Sequence, residues 1–354
     1  MKILVMNLGS TSTKLAIFED ENPIVTETIR HTPEELAPYP DILAQEDFRK
    51  ERILDFLRQK GAPLDSMDVI ATRGGLIRPV PGGVFWVDDS VEKDVRSGLY
   101  GKHSSNTGLL IANAWSREYG IPAVFTDAPA TDELMDVARV SGYQSIFRRS
   151  IFHALNMKRV ARQCCNSIGI KPEDSRLIIA HMGGGVSVAA LKGLKAIDVN
   201  GATDGDGPFS PERSGSLPLK QALKVAYQKA KTPEEAFDLF YRKGGLISYF
   251  GTNNVAELVK RSETEKEVEL VLRGMLYMIA KQIAAMAVPL EGRVDQIILT
   301  GGIAYNAGLM AQLSEKVGFI APVTVTPGED ELAALAEGAL RFMRGEEKAR
   351  RIDE

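Results

Sequence analysis

This sequence predicts an α/β fold built from two duplicated lobes, and three observations predict it. Near the N-terminus the apolar run Ile3-Leu4-Val5-Met6 leads into Asn7-Leu8-Gly9-Ser10-Thr11-Ser12-Thr13-Lys14 and then into Leu15-Ala16-Ile17-Phe18. Half a chain later the layout returns: Leu177-Ile178-Ile179-Ala180, His181-Met182-Gly183-Gly184-Gly185, Val186-Ser187-Val188-Ala189-Ala190. A third glycine turn, Leu299-Thr300-Gly301-Gly302-Ile303-Ala304-Tyr305-Asn306, again follows an apolar strand pattern but opens a helix.

The elements follow in order. Residues 1–30 read as a β-meander, and 46–60 as a helix stopped by Gly61. Asp68-Val69-Ile70-Ala71-Thr72 is a strand running into Arg73-Gly74-Gly75. Residues 76–90 read as a second β segment punctuated by Pro and Gly. Thr107, Leu110, Ile111, Ala114 and Trp115 recur at helical spacing and predict a helix over 105–119. Pro122-Ala123-Val124-Phe125-Thr126 is a strand that delivers Asp127. A helix over 150–168 begins the second half, strand 177–180 opens its sheet, and helices follow at 219–242, 254–261 and 265–289. Met275, Met278, Ile279, Ile283, Met286 and Ala287 make the last of these apolar, as core or as a contact with another copy. Gln296-Ile297-Ile298-Leu299-Thr300 and Val323-Thr324-Val325-Thr326 are strands, each followed by a helix, the final one over about 329–344. The charged tail 345–354 is expected to fray.

Bulk properties narrow the class. The chain has 354 residues, which favours two domains over one. A composition 44% hydrophobic and 25% charged is that of an ordinary globular protein. A net charge of −4 argues against general nucleic-acid binding. No apolar run is long enough to span a membrane, and no signal peptide precedes the first strand. Cys164 and Cys165 are adjacent, a poor arrangement for a structural disulfide, so both are expected reduced inside a helix, in the cytoplasm.

Several residues could carry chemistry. The first turn is not a Walker A loop, because Lys14 leads into a strand. Its backbone N–H groups and the hydroxyls of Ser10 and Ser12 suit polyphosphate oxygens; a plain hydroxyl-tipped β-turn is the alternative. Gly183, Gly184 and Gly185 weaken a strand end unless something approaches the backbone closely, and phosphate is the expected visitor. His181 either touches nucleotide or simply ends its strand. Gly301 and Gly302 before a helix can place an adenosine against the backbone near the helix N-terminus. The irregular stretch 198–217 holds Arg213 among turn residues, where an arginine can neutralise a phosphoryl group in flight. Arg73 can do the same or clamp a carboxylate bidentately; a surface ion pair is the alternative for each. His153, beside Phe152, opens the 150–168 helix. Asp127 is a base, a metal ligand or a helix cap, and Glu329, Asp330 and Glu331 either serve chemistry or offset the last helix dipole.

Taken together, these motifs resemble the acetokinase family, and within it the butyrate and branched-chain carboxylate kinases. The resemblance spans nearly the whole chain and rests on Asn7 to Lys14, His181 to Gly185, Gly207-Pro208-Phe209-Ser210-Pro211-Glu212-Arg213-Ser214-Gly215, Leu299 to Ala304 and Gly328-Glu329-Asp330-Glu331-Leu332. It implies the duplicated ribonuclease-H-like fold of the sugar kinase, Hsp70 and actin superfamily, with an interdomain active-site cleft. It implies an N-terminal domain of 1–149 plus about 329–354 and a nucleotide-binding domain of 150–328. The implied reaction is reversible transfer from ATP to a short-chain carboxylate, giving ADP and an acyl phosphate, with Mg²⁺. By motif, Asn7, Arg73, Asp127, His153 and Arg213 are the implied catalytic residues. Nucleotide contacts fall to Ser10, Ser12, Lys14, His181, Gly183, Gly184, Gly185, Gly301, Gly302, Ile303 and Asn306. Arg73, Gly75 and Phe152 face the carboxylate, and Glu331 serves the metal. The family also implies a homodimer or larger homo-oligomer.

The chain departs from the acetate kinases near Arg73. Those enzymes usually read His-Arg-Val-Val-His-Gly-Gly, with a valine against the acetate methyl. Here Thr72-Arg73-Gly74-Gly75-Leu76 puts Gly75 at that valine's place. The missing isopropyl group is expected to open room for a longer acyl chain, worth about 0.8 kcal/mol per methylene. The other expectations open to the chain are an acetate or propionate kinase, a sugar kinase using Asp127 as base, and a non-catalytic nucleotide switch of the actin or Hsp70 kind.

Overall fold

The computed structural model describes every residue except Ala202 and Asp204; the sequence reading of 198–217 as one irregular loop lies outside the described residues at those two positions, and its first two residues, Asp198 and Val199, end a strand. Two units emerge. Unit 1 comprises Met1–Asp132, Ala154–Asn156 and Asp330–Glu354; unit 2 comprises Glu133–His153 and Met157–Glu329.

In unit 1, β1 (Lys2–Leu8), β2 (Ser12–Glu19) and β3 (Asn22–Arg30) form an antiparallel meander, to which β4 (Val69–Thr72), β5 (Val84–Trp86) and β6 (Ala123–Thr126) are added. The sheet order is β3-β2-β1-β4-β6-β5, with β1, β4 and β6 mutually parallel. Alternation divides the faces: Leu4, Met6 and Leu8 share a core with Phe56 and Trp115, whereas Ile3, Val5, Ala16 and Ala71 pack with Leu335, Ala339 and Leu340 of helix Glu331–Met343. Each fully buried leucine contributes roughly 1.5–3 kcal/mol, so that last helix belongs to the fold of unit 1 although it ends the chain.

Unit 2 repeats the plan. Its strands β7 (Arg176–Met182), β8 (Val186–Lys192), β9 (Lys195–Val199), β10 (Gln296–Gly301) and β11 (Val323–Pro327) lie in the order β11-β10-β7-β8-β9. As in unit 1, an antiparallel meander is extended through its first strand by two parallel strands. Met275, Ile279, Ile283 and Met286 are buried in the core on this sheet, so among the described residues the apolar face of helix Lys266–Ala285 is largely spent on packing.

Four sequence expectations need correction. In the 76–90 stretch strand structure is confined to the short β5, with isolated bridges from Val80 to Thr131 and from Phe85 to Arg350, because its prolines and glycines break the ladder. The 150–168 helix begins at Ala154, leaving Phe152 and His153 in the approach to it. The 219–242 stretch is two helices, Leu219–Lys229 and Pro233–Tyr241, since Pro233 can start a helix but not continue one. The tail is tied down: Arg350 N donates to Val84 O, Trp86 N donates to Arg350 O, and Ile352 is buried.

Candidate active site

One cluster of candidate residues lies in unit 1. Asn7 ends the inward face of β1 and faces Lys14 across the β1–β2 ladder, so these two side chains share a face. Asn7 is 3% exposed and donates through Nδ2 to Glu331 Oε2 at 2.6 Å. Arg73, just past β4, reaches the other oxygen of the same carboxylate, with Nη1 3.1 Å from Oε1. One carboxylate thus holds an amide and a guanidinium in a fixed relation. The three acids at the start of the last helix separate by partner. Glu331 takes Asn7 and Arg73, Asp330 caps the helix by accepting from Ala333 N, and Glu329, in unit 2, faces His181. Lys14 and Ser10 are exposed and Ser12 is half-buried, on a turn closed by Gly9 N donating to Ser12 O at 2.8 Å.

Two unit 1 residues stand differently from the simplest reading. Asp127 adopts φ of +43° and is 2% exposed, with Oδ1 accepting from Gly83 N at 2.8 Å. No helix starts there, so it is no helix cap. Gly75 does not open space. A Cβ there would stand 2.9 Å from Asn106 Cγ, and Asn106 grips both backbone groups of Leu76. Asn106 fills the place of the missing side chain, which removes the argument for a longer acyl chain at that position.

A separate cluster of candidate residues lies in unit 2. The β7–β8 turn closes with Gly183 N donating to Gly185 O at 2.9 Å. His181, on β7, is 2% exposed and stacks on His153, with ring centroids 3.9 Å apart and 8° between planes. Burial lowers its pKa to about 4, so the imidazole is neutral at pH 7 and its 3.3 Å contact with Glu329 does not join two full charges. His153 Nδ1 lies 2.9 Å from Ser187 Oγ, which fixes the second ring. Phe152 is buried beside it in sequence.

Arg213 lies over the glycine turn. A Cβ on Gly185 would stand 2.7 Å from its Cζ, so only glycine lets the guanidinium settle there. Tyr241 holds the guanidinium from another side, accepting from Nη2 at 3.1 Å with its ring 4.6 Å from Cζ. Buried Ser210 donates to Gly184 O and accepts from Arg213 N, locking loop to turn. Gly301, at φ +90°, lies so near β7 that a Cβ would stand 2.7 Å from Met182 N. The second and third glycine turns therefore adjoin, with Gly302 open beside them. Ile303 is buried, and Asn306 caps helix Ala307–Val317 by accepting from Leu309 N.

Sequence reasoning missed Arg49, Ser210, Tyr241 and Asn253. Asn253 donates to Glu212 Oε1 at 3.0 Å, against Gly184. Arg49, Tyr241 and Asn253 carry no local signature, whereas Ser210 lies within the motif from Gly207 to Gly215, where only Arg213 drew a role. Among the described residues no three His, Cys, Asp or Glu side chains converge as a metal cage. The donor set fits Mg²⁺ nonetheless: Glu331 offers one hard carboxylate, and Mg²⁺ commonly keeps its waters and takes remaining ligands from phosphate oxygens. No helix among the described residues is long and apolar enough to cross a membrane.

The neutral His181 ring gives a pH prediction. Above pH 6.5 it is neutral folded and unfolded, and costs nothing. Between 6.5 and about 4 the unfolded chain takes a proton that the folded site refuses, so stability falls as pH falls. At pH 5 the expected loss is about 2 kcal/mol. Urea unfolding at pH 7 and pH 5 measures it, and His181→Gln should shrink the difference between the two.

The acetokinase family model matches residues 123–321. A protein of Clostridium botulinum (strain Alaska E43 / Type E3), described as "Probable butyrate kinase", is 46% identical over 350 residues, covering 99% of both chains. Butyrate kinase 2 of Clostridium acetobutylicum is 44% identical over 351 residues, again covering 99% of each. The crystal structure of Porphyromonas gingivalis acetate kinase superposes with a TM-score of 0.77 at 19% identity, covering 97% of this chain and 99% of that one. With both glycine turns, the Arg213 loop and the Asn7–Glu331–Arg73 cluster in place on a duplicated fold of this kind, the chain belongs to the acetokinase family.

Proposed function

We propose that this chain transfers the γ-phosphoryl group of ATP to a carboxylate oxygen of a short-chain acid, butyrate or isobutyrate in kind, giving ADP and an acyl phosphate in a reversible, direct in-line step. One observation carries the choice of acceptor: at the head of the first loop stands a neutral amide, Asn7, bound to a carboxylate that also holds Arg73. A hydroxyl acceptor needs a base. Asp127, the candidate for that role, sits 2% exposed with its carboxylate on the Gly83 N–H. A carboxylate acceptor is already ionised at neutral pH and needs only positioning and charge neutralisation. Likeness to butyrate kinases along the full length supports the same acceptor class.

In this reading the turns at His181 to Gly185 and at Gly301 to Asn306 cradle the nucleotide, and Ser10, Ser12 and Lys14 meet phosphate oxygens. Arg213 and Arg73 neutralise the phosphoryl group in flight, with His153 as a hydrogen-bond donor to it. Phe152 lies on the acyl side, and Asp127 acts as a positioning residue for the 82–83 turn. Mg²⁺, when bound with ATP, neutralises charge on the β- and γ-phosphates, and Glu331 is the side chain offered to it, through water. Free, buried Cys164 and Cys165 suit a reducing cytoplasm.

Hydroxylamine traps acyl phosphates as hydroxamates. Incubation with ATP, Mg²⁺ and acetate, propionate, butyrate, isobutyrate or valerate should give the strongest signal with the four-carbon acids. Absence of hydroxamate from all five would remove the carboxylate-kinase reading.

A further inference from the structure

Helices Leu219–Lys229 and Pro233–Tyr241 of unit 2 contain no buried residue. We infer that this helix pair is the face on which two copies of the chain associate, helix Leu219–Lys229 of one copy lying along helix Pro233–Tyr241 of the other. The consequence drawn below for turnover rests on the carboxylate-kinase reading above; the interface does not.

The apolar residues come first. Leu219, Leu223 and Tyr227 recur every fourth residue along one side of the first helix, and are 73%, 48% and 86% exposed. Leu217 and, on the second helix, Phe237 are exposed as well. A surface helix ordinarily turns its apolar stripe to a core. Here the stripe faces water, and Leu217, Leu219 and Phe237 edge a cavity of about 330 Å³ that reaches Tyr241 and Arg213. A large exposed apolar patch on a globular chain marks a contact surface. Covering these five side chains would remove roughly 500–600 Å² of apolar surface per copy, close to the apolar share of the roughly 800 Å² per partner that a stable interface takes. Helix Lys266–Ala285, the other apolar candidate for a contact between copies, has Met275, Ile279 and Ile283 packed in the core.

Charge chooses the occupant. Leu223 is flanked at i−3 and i+1 by Lys220 and Lys224, and Phe237 is flanked at the same two offsets by Glu234 and Asp238. The two helices thus present one layout, an apolar centre with two charges beside it, in opposite sign. Such a surface is complementary to a second copy of itself: about a two-fold axis the lysine side of each copy meets the acidic side of the other, and the contact is made twice. A polyanion would be repelled by the acidic side. Within one copy Asp238 meets Arg242 at 3.3 Å and Lys243 at 3.8 Å, exposed pairs of small worth that a partner can replace. The second helix also carries the support of Arg213: Tyr241 accepts from its Nη2, and Phe240 O accepts from Ser214 N. A helix with no buried residue is weakly anchored in a lone copy. The partner's apolar stripe anchors it, so full turnover requires the pair.

Sedimentation equilibrium of the full chain, with hydroxamate formation measured on the same samples, tests this. The wild type at micromolar concentration should have twice the chain mass or an even multiple of it. Lys220→Glu with Lys224→Glu, and separately Glu234→Lys with Asp238→Lys, should each raise the dissociation constant by about a hundredfold or more, because like charges then meet at both contacts. An equimolar mixture of the two variants should associate to within about tenfold of the wild type, since opposite charges meet again. Tyr227→Ser, which removes one exposed ring, should weaken association by about tenfold and keeps the test open if a charge reversal does not fold. Each charge-reversed variant alone should turn over about tenfold more slowly, and the mixture should recover. A monomeric wild type would overturn the inference, as would charge-reversed variants that associate like the wild type or a mixture that fails to pair. Lost association with unchanged turnover would overturn the link to Arg213. The mass needs no catalysis, so absence of acyl phosphate from every acid defeats the kinase reading and leaves the interface to the masses.

Discussion

Arg213→Ala should lower kcat by about a thousandfold or more while the KM for ATP moves by only a few-fold. The expectation comes from how the side chain is held. Its backbone N–H is fixed by Ser210, its guanidinium takes the place a Gly185 side chain would need, and Tyr241 supplies both a hydroxyl and a ring. In the proposed reaction that is preorganisation: the cation is placed beforehand and needs no rearrangement when charge spreads over the phosphoryl oxygens. Tyr241 is a neutral partner, so it positions the charge without cancelling it. The proposed nucleotide contacts are the glycine turns, which the variant leaves in place. Arg213→Lys should recover little, because an ammonium neither forks nor stacks on the ring. Steady-state kinetics of hydroxamate formation and calorimetric titration of ADP measure the two effects separately. Turnover within a few-fold of the wild type would take Arg213 out of the reaction.

What could be read from the sequence follows the range of the forces involved. The β1–β2–β3 meander and the β7–β8 hairpin were legible because alternation of apolar residues and a glycine-rich turn are both local signals. The Asn7–Glu331 contact joins residues 324 positions apart. No periodicity shows that, and only the family motifs bring the two ends to one reaction. Gly75 illustrates the converse. A substitution can be read from a motif, but where the missing side chain would have pointed depends on Asn106, thirty residues on, closing over Leu76. The frayed tail was misread because charge suggests solvation, whereas the backbone of Arg350 completes the edge of β5. Pro233 was a legible break that periodicity on both sides disguised.

Arg49→Met should destabilise the protein by about 3–5 kcal/mol, the cost of leaving several buried acceptors unsatisfied. Arg49 is 0% exposed, and every N–H of its guanidinium is used. Nη1 donates to Ser12 O and Thr13 Oγ1, Nη2 to Ser10 O and Gln45 Oε1, and Nε to Gln45 Oε1, all at 3.0–3.1 Å. Burial lowers its pKa to about 10, still far enough above 7 for the group to remain a cation. These acceptors include two carbonyls of the turn proposed to meet phosphate. Arg49 therefore fixes the Ser10–Ser12 backbone from behind and sets a positive charge beneath it, which favours an anion above. Methionine matches the stem in length and keeps much of the packing, so the loss falls on hydrogen bonds and charge. Lysine keeps the charge but cannot bind two carbonyls and an amide at fixed angles, and should restore little of the stability. Urea unfolding reports the first effect. The KM for ATP, measured at a temperature where the variant is fully folded, reports the second and should rise in Arg49→Met. Unchanged KM with lost stability would confine Arg49 to the fold; unchanged stability would mean that water replaces the guanidinium among those carbonyls.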